Sequence, residues 1–278
     1  MKLRSQAIQR RQGSETPAIS IALFLLSLCV VAGALVWLGR NLTPMEESDT
    51  YSFAKPELET PAILTWHHVE DFPAAIAQME TVFWEPQETT SMRGWMKDSN
   101  RLKNVDVLEI GCGTGLVSIE CALRGARSVV ASDVNPAAVA NSAYNAELCG
   151  VSQRLKVRQV NAQHSGPFEI IAANEKFDFI ISHPPWGDGP VDSPAAYACY
   201  DPGFKLLEGI LRESQKYLQT DGRVLLTYGA KCAIRRIQEL GPQHAWQITI
   251  HDTRDLESLP EMFLPGMLLE LKPVNSQY

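Results

Sequence analysis

The chain has 278 residues, with 25 basic and 32 acidic side chains, a formal charge of −7 and 45% hydrophobic residues. That length suits one α/β catalytic domain, and the acidic balance excludes a surface built chiefly to neutralise nucleic-acid phosphates. The six cysteines contain no Cys-x-x-Cys pair and no disulfide or zinc spacing, so neither a stapled secreted scaffold nor a zinc module is expected.

Residues 1–16 form a basic tail carrying Lys2, Arg4, Arg10 and Arg11. Residues 17–39 hold no charged side chain and are dominated by Ala, Ile, Leu, Val and Phe, with Trp37 near the end. A run of that length is enough to cross a bilayer as one helix, and an aromatic ring suits the interface. A single-pass membrane anchor is therefore expected, with 40–60 as a linker and a catalytic domain over 61–278. The small-residue triplet Ala32-Gly33-Ala34 leaves a cleavable signal as the alternative. Basic residues before the run put the N-terminus in the cytoplasm and the domain on the far side. Between Tyr51 and Met79 a short hairpin and helix are expected to cap the domain.

The stretch Val105–Ile110 reads as a buried strand and stops at Gly111, Gly113 and Gly115. A helical pattern starts at Leu116. Strand, glycine turn, helix is how an α/β sheet offers backbone to a nucleotide-like ligand. A dinucleotide fingerprint requires Gly or Ala at 116, and Leu116 breaks it. Ser128–Asp133 is a second strand, ended by an acid about 20 residues past the glycines, where a carboxylate accepts from two ribose hydroxyls. Asn135 and Pro136 then open a helix that ends at Gly150. A third strand, Leu155–Val160, leads into Asn161-Ala162, whose side-chain amide and backbone N–H suit the edge of an adenine ring.

Phe177–Ser182 is a fourth strand, followed by His183-Pro184-Pro185-Trp186. Two prolines fix φ and extend the chain, holding the preceding carbonyls in a rigid array at the carboxyl edge of the sheet, where open α/β sheets bind ligands. Carbonyl acceptors beside an aromatic ring suit a flat, neutral NH₂ group. Beyond this, Leu206–Leu218 reads as a helix, Gly222–Tyr228 as a strand, Lys231–Leu240 as a helix with a small basic face, Trp246–Ile250 as a strand and Met267–Leu271 as a final strand. Alternation of this kind gives a doubly wound, mainly parallel sheet.

These segments together resemble class I S-adenosylmethionine-dependent methyltransferases over roughly Val82–Pro273. The glycine loop with Glu109 is similar to that family's first motif. The resemblance implies that Gly111, Gly113 and Gly115 pass under the methionine half of the cofactor, that Glu109 fixes the loop and the amino-acid end, that Asp133 takes the ribose, and that Asn161 and Ala162 take the adenine. It also implies seven strands, the last antiparallel. His183-Pro184-Pro185-Trp186 resembles the Asn/Asp-Pro-Pro-aromatic signature of enzymes that methylate amide or base nitrogen, with His183 standing where the family has Asn or Asp. Phe83–Thr90 looks like the Glu-Pro-x-Glu-Asp-Thr segment of HemK-like methyltransferases, with Thr89 matched to the threonine that covers the cofactor and Glu88 to an acidic position.

The resulting expectation is an N-methyltransferase using S-adenosyl-L-methionine, with no metal, acting on a planar amide or amine of a protein. Without the first 49 residues, twenty basic side chains face twenty-eight acidic ones, which favours a protein acceptor over nucleic acid. The alternatives are a base N-methyltransferase and a non-catalytic, membrane-tethered cofactor-binding module. Cofactor supply favours the cytosol for the domain, against the flanking charges.

Overall fold

The computed structural model describes residues 61–98, 100–161 and 166–274. The basic tail, the 17–39 run, the linker and Ala162 lie outside the described residues. Among the described residues, no helix is long and apolar enough to cross a membrane.

A two-stranded hairpin comes first, β1 (Ile63–His67) against β2 (Ile76–Met79), antiparallel. The short helix α1 follows (Thr90–Met96). The sheet then builds by alternation: β3 (Asp106–Ile110), α2 (Leu116–Leu123), β4 (Ser128–Asp133), α3 (Pro136–Leu148), β5 (Leu155–Gln159), β6 (Phe177–Ser182), α4 (Lys205–Glu213), β7 (Leu218–Ala230), α5 (Lys231–Gln243), β8 (Trp246–Ile250) and β9 (Met262–Pro273). The strand order is β5-β4-β3-β6-β7-β9-β8, seven strands in one sheet. β3 to β7 pair in parallel, while β9 runs antiparallel between β7 and β8. The doubly wound, mainly parallel sheet with a reversed last strand is thus present as expected.

Successive strand residues face opposite sides, so each strand feeds two cores. Leu108 and Ile110 of β3, Ile180 of β6 and Val224, Leu226 and Tyr228 of β7 join the layer under α4 and α5. Val107, Phe179, Ile181 and Leu225 join the layer under α1, α2 and α3. Both faces are covered, which is why these strands read as continuous apolar runs rather than alternating ones.

The hairpin is fastened to α3 by two asparagines one helical turn apart. Asn145 Oδ1 accepts the Ala77 N–H at 2.9 Å, and Asn141 Oδ1 accepts the Met79 N–H at 2.9 Å. Both amide nitrogens donate to the Ala77 carbonyl at 2.8 Å, and Asn145 also donates to the Thr114 carbonyl at 2.9 Å. All of this is buried, so the helix replaces the ladder partner that the edge of β2 lacks. α1 is held twice: Arg93 reaches the buried Glu120 of α2 at 2.5 Å, and the Ser91 hydroxyl donates to the Gly266 carbonyl in β9 at 2.6 Å.

Three expectations need correction. The helix expected over Leu206–Leu218 stops at Glu213 and tightens into a 3₁₀ turn, Ser214–Tyr217, because the Ser214 hydroxyl donates back to the Ile210 carbonyl at 2.6 Å. Among the described residues 61–79 the hairpin is present and the first described helix begins at Thr90, while 51–60 of the expected span lie outside the described residues. The basic face of α5 is not a free patch: Lys231 is buried with Nζ donating to the Glu257 carbonyl at 3.0 Å, while Arg235 and Arg236 pair with Glu257 and Glu208.

Candidate active site

Strand register alone brings the functional segments together. Ile110 of β3 pairs with Ser132 of β4 on one side and with Ser182 of β6 on the other. The next residues along the chain are Gly111, Asp133 and His183, so the glycine turn, the acid and the prolines leave the sheet side by side. Cross-strand bonds lock the level: the Ser182 hydroxyl donates to the Ile110 carbonyl at 2.7 Å, and the Ser132 hydroxyl donates to the Glu109 carbonyl at 3.2 Å.

The glycine turn is built from positive φ. Gly111 (+79°), Gly113 (+51°) and Gly115 (+83°) all sit where L-residues are strained. A Cβ on Gly115 would also stand 2.6 Å from Ser142 Oγ, so that glycine permits α2 to begin against α3. A Cβ on Gly111 would enter open space. The N–H groups of Gly111 and Cys112 donate to the Ser132 carbonyl at 2.8 and 3.0 Å. Asp133 completes the turn: Oδ2 accepts from Gly113 N at 2.9 Å and Oδ1 from Asn135 N at 2.9 Å.

Glu109 is 2% exposed and accepts a hydrogen bond from the Ser118 hydroxyl of α2. Burial pushes its carboxyl up to about 8, against the pull of the Ser118 bond, and the neighbouring Asp133 charge adds to the rise. Burial also raises Asp133, with the N–H donors of Gly113 and Asn135 opposing it. Two carboxyls kept up by desolvation are short of a countercharge. Burial lifts the Cys112 thiol as well, so it stays protonated and unreactive.

One cavity of about 330 Å³ spans these groups. Glu109, Gly111, Cys112, Gly113 and Asp133 line one part of it, Thr89 and the Phe83–Pro86 segment another, and His183, Pro184 and Pro185 a third. Thr89 is buried and its hydroxyl donates to the Pro86 carbonyl at 3.2 Å. Val160 lines the wall just past the end of β5, while Asn161 beyond it is exposed and does not line the cavity.

Trp186 is an expected site residue that turns away from the cavity; Gly115 and Asn161 do not line it either. Trp186 is 7% exposed, does not line the cavity, and donates its indole N–H to the Thr227 carbonyl at 3.3 Å. Its ring fills the space over Gly229, where a Cβ would fall 2.4 Å from it. A buried indole needs an acceptor for its N–H, and β7 supplies one. The aromatic rings that do line the cavity are Phe83 and Trp84, before α1, and Tyr197 and Tyr200, on the loop between β6 and α4. Tyr200 lies over Gly187 and Gly189, where added Cβ atoms would fall 3.1 and 2.6 Å from its ring.

Further residues were not anticipated from the sequence. Asp201 and Lys205 line the cavity, and Asp201 accepts from Leu206 N at 2.9 Å and Leu207 N at 3.0 Å, capping the start of α4. Glu88 stands behind His183, with Oε2 at 2.8 Å from Nε2.

A glycine cradle open to a cavity, flanked by two undercharged carboxyls, fits a small cationic nucleoside rather than a pyrophosphate. The family model for ribosomal protein L11 methyltransferase (PrmA) matches residues 87–184. The putative protein N5-glutamine methyltransferase MJ0928 of Methanocaldococcus jannaschii is 34% identical over 169 residues, covering 57% of this chain and 80% of that protein. The release factor glutamine methyltransferase of Cereibacter sphaeroides is 33% identical over 138 residues, 45% of this chain and 46% of that one. The chain spans 40% to 47% of the length of the two Bacteroides ribosomal protein L11 methyltransferases it matches. Among solved structures, SMU.776, a putative methyltransferase complexed with SAH, aligns with a TM-score of 0.52 at 15% identity, covering 72% of this chain and 52% of that one.

Fold and site define a Rossmann-like methyltransferase that uses S-adenosyl-L-methionine. The chain belongs to the class I S-adenosylmethionine-dependent methyltransferases, in their HemK-like branch.

Proposed function

We propose that this enzyme transfers a methyl group to a planar amide or amine nitrogen of a protein. The observation that carries the reading is the Ile110–Ser182 pairing, which brings Pro184 and Pro185 out of the sheet beside the glycine turn, both lining one cavity. The bound cofactor supplies an electrophilic methyl carbon on positively charged sulfur. Glu109 and Asp133 provide the negative countercharge and the hydrogen-bond acceptors that hold it. Pro184 and Pro185 shape the acceptor wall, and Trp84, Tyr197 and Tyr200 bring aromatic surface to the cavity that excludes water. Most of the acceleration in such a site comes from holding nitrogen and carbon in line.

Protein acceptors are named for MJ0928 and for the release factor enzyme. The acidic charge of this chain points the same way. The test uses the full chain in mild detergent with tritium-labelled S-adenosylmethionine and a fractionated lysate. Label that is sensitive to protease and resistant to nuclease supports the reading. Label in nucleic acid, or no label from a protein that binds the cofactor, overturns it.

The 17–39 run supports a second element of this reading, a single-pass anchor. Full chain that stays with membranes through alkaline carbonate washing supports it, and full chain released into the supernatant overturns it.

A further inference from the structure

His183 stands where its family carries Asn or Asp before the prolines, and the structure shows what accompanies the change. Nε2 of His183 is buried, and Oε2 of Glu88 stands 2.8 Å away. The two side chains are only 16% and 17% exposed. The contact lies off the line of an N–H bond, and Nε2 has no other partner in the described structure. The ring is propped from beneath by Trp186, edge to face, with centroids 5.7 Å apart and planes at 89°. Glu88 does not line the cavity, whereas His183 does. The carboxylate therefore lies behind the imidazole, away from where the acceptor enters.

A carboxylate oxygen offers only lone pairs and negative charge, so at 2.8 Å, even off the N–H line, it favours the tautomer with the hydrogen on Nε2. In the neutral ring the lone pair then resides on Nδ1. We propose, building on the N-methyltransferase reading above, that His183 Nδ1 takes the proton the acceptor nitrogen loses, and that Glu88 is the positioning residue that fixes this tautomer. As the methyl passes to nitrogen, the C–S electron pair stays on sulfur and the N–C bond forms from the nitrogen lone pair. The N–H bond then breaks with its pair left on nitrogen, and the proton moves to Nδ1. The imidazolium so formed is held by the Glu88 carboxylate until solvent takes the proton after product leaves. An asparagine in this position has no lone pair basic enough for that step.

The experiment uses full-length protein labelled with ¹⁵N-histidine and saturated with S-adenosylhomocysteine, and reads the tautomer of His183 from two-bond ¹H–¹⁵N correlations. The His183→Asn variant assigns its signals. Nε2–H is expected in the wild type and in Glu88→Gln, whose amide oxygen still accepts. A mixture of both tautomers is expected in Glu88→Met. Nδ1–H in the wild type, or the same tautomer in wild type and Glu88→Met, overturns the proposal. In labelled methyl transfer, His183→Ala is expected to lose about 100-fold in kcat, the usual scale of a proton acceptor, with cofactor binding unchanged; kcat within about threefold of wild type also overturns it. Because the tautomer is read without an acceptor, failure of the N-methyltransferase reading and failure of this one give separate results.

Discussion

Asp133 Oδ2 accepts the Gly113 N–H at 2.9 Å, so the acid at the end of β4 braces the glycine turn beside which the proposed ribose contact would form. Removing it acts on both. For Asp133→Ala we expect S-adenosylhomocysteine binding to weaken by about 1–3 kcal/mol, or roughly 5- to 150-fold, from lost hydrogen bonds and a looser turn. Titration calorimetry measures this, and unchanged affinity would remove Asp133 from the site.

Glu109 makes stability depend on pH in a stated direction. With its carboxyl raised from the ordinary 4.5 to about 8, the native state holds more protons than the unfolded chain between those values. Stability of the cofactor-free protein is thus greatest on the acid side of that window and falls as pH climbs toward 8, and Asp133, also raised, adds to the low end of the same slope. Melting temperatures recorded across the window should fall with pH in the wild type and less steeply in Glu109→Gln. Equal slopes in the two proteins would contradict the assignment. Cofactor binding should release protons near neutral pH, seen as a buffer-dependent heat.

Gly115→Ala meets two penalties, a φ of +83° and a Cβ only 2.6 Å from Ser142 Oγ. We expect a loss of about 1–3 kcal/mol in stability. Ser142→Gly in the same chain should recover the steric part and leave the backbone part. Denaturant unfolding separates them, and a double variant no better than Gly115→Ala would show the contact to be irrelevant.

Asn145→Ala strands the buried N–H of Ala77 while Asn141 still serves its carbonyl. A loss of about 1–3 kcal/mol is expected. Hydrogen exchange should localise the opening to the hairpin, and protection at Ala77 equal to wild type would dismiss the clamp.

The central strands β3, β4 and β6 were legible because they are largely buried and lead into a glycine, an acid and a proline pair. Ser128–Asp133 and Trp246–Ile250 have the bounds their apolar runs imply. Glycine spacing, Asp133 and the proline pair fixed the carboxyl edge. Side-chain direction was not legible for Trp186: the signature specifies an aromatic residue after two prolines, and only the empty space over Gly229 decides that the indole turns inward. Nor was the meeting of Glu88 with His183, since no periodicity links residues 95 positions apart and only the folded loop before α1 joins them. Asp201 reads in sequence as a turn residue, which it is, while also bordering the cavity.

The hydroxyl of Ser91 and the carbonyl of Gly266 meet across 175 positions of chain. Whatever the early segment contributes to catalysis is therefore unavailable during most of translation. A ribosome must deliver the reversed last strand before the threonine-bearing helix gains the second of its two holds, so nascent chains should bind the methyl donor poorly until that strand clears the exit tunnel.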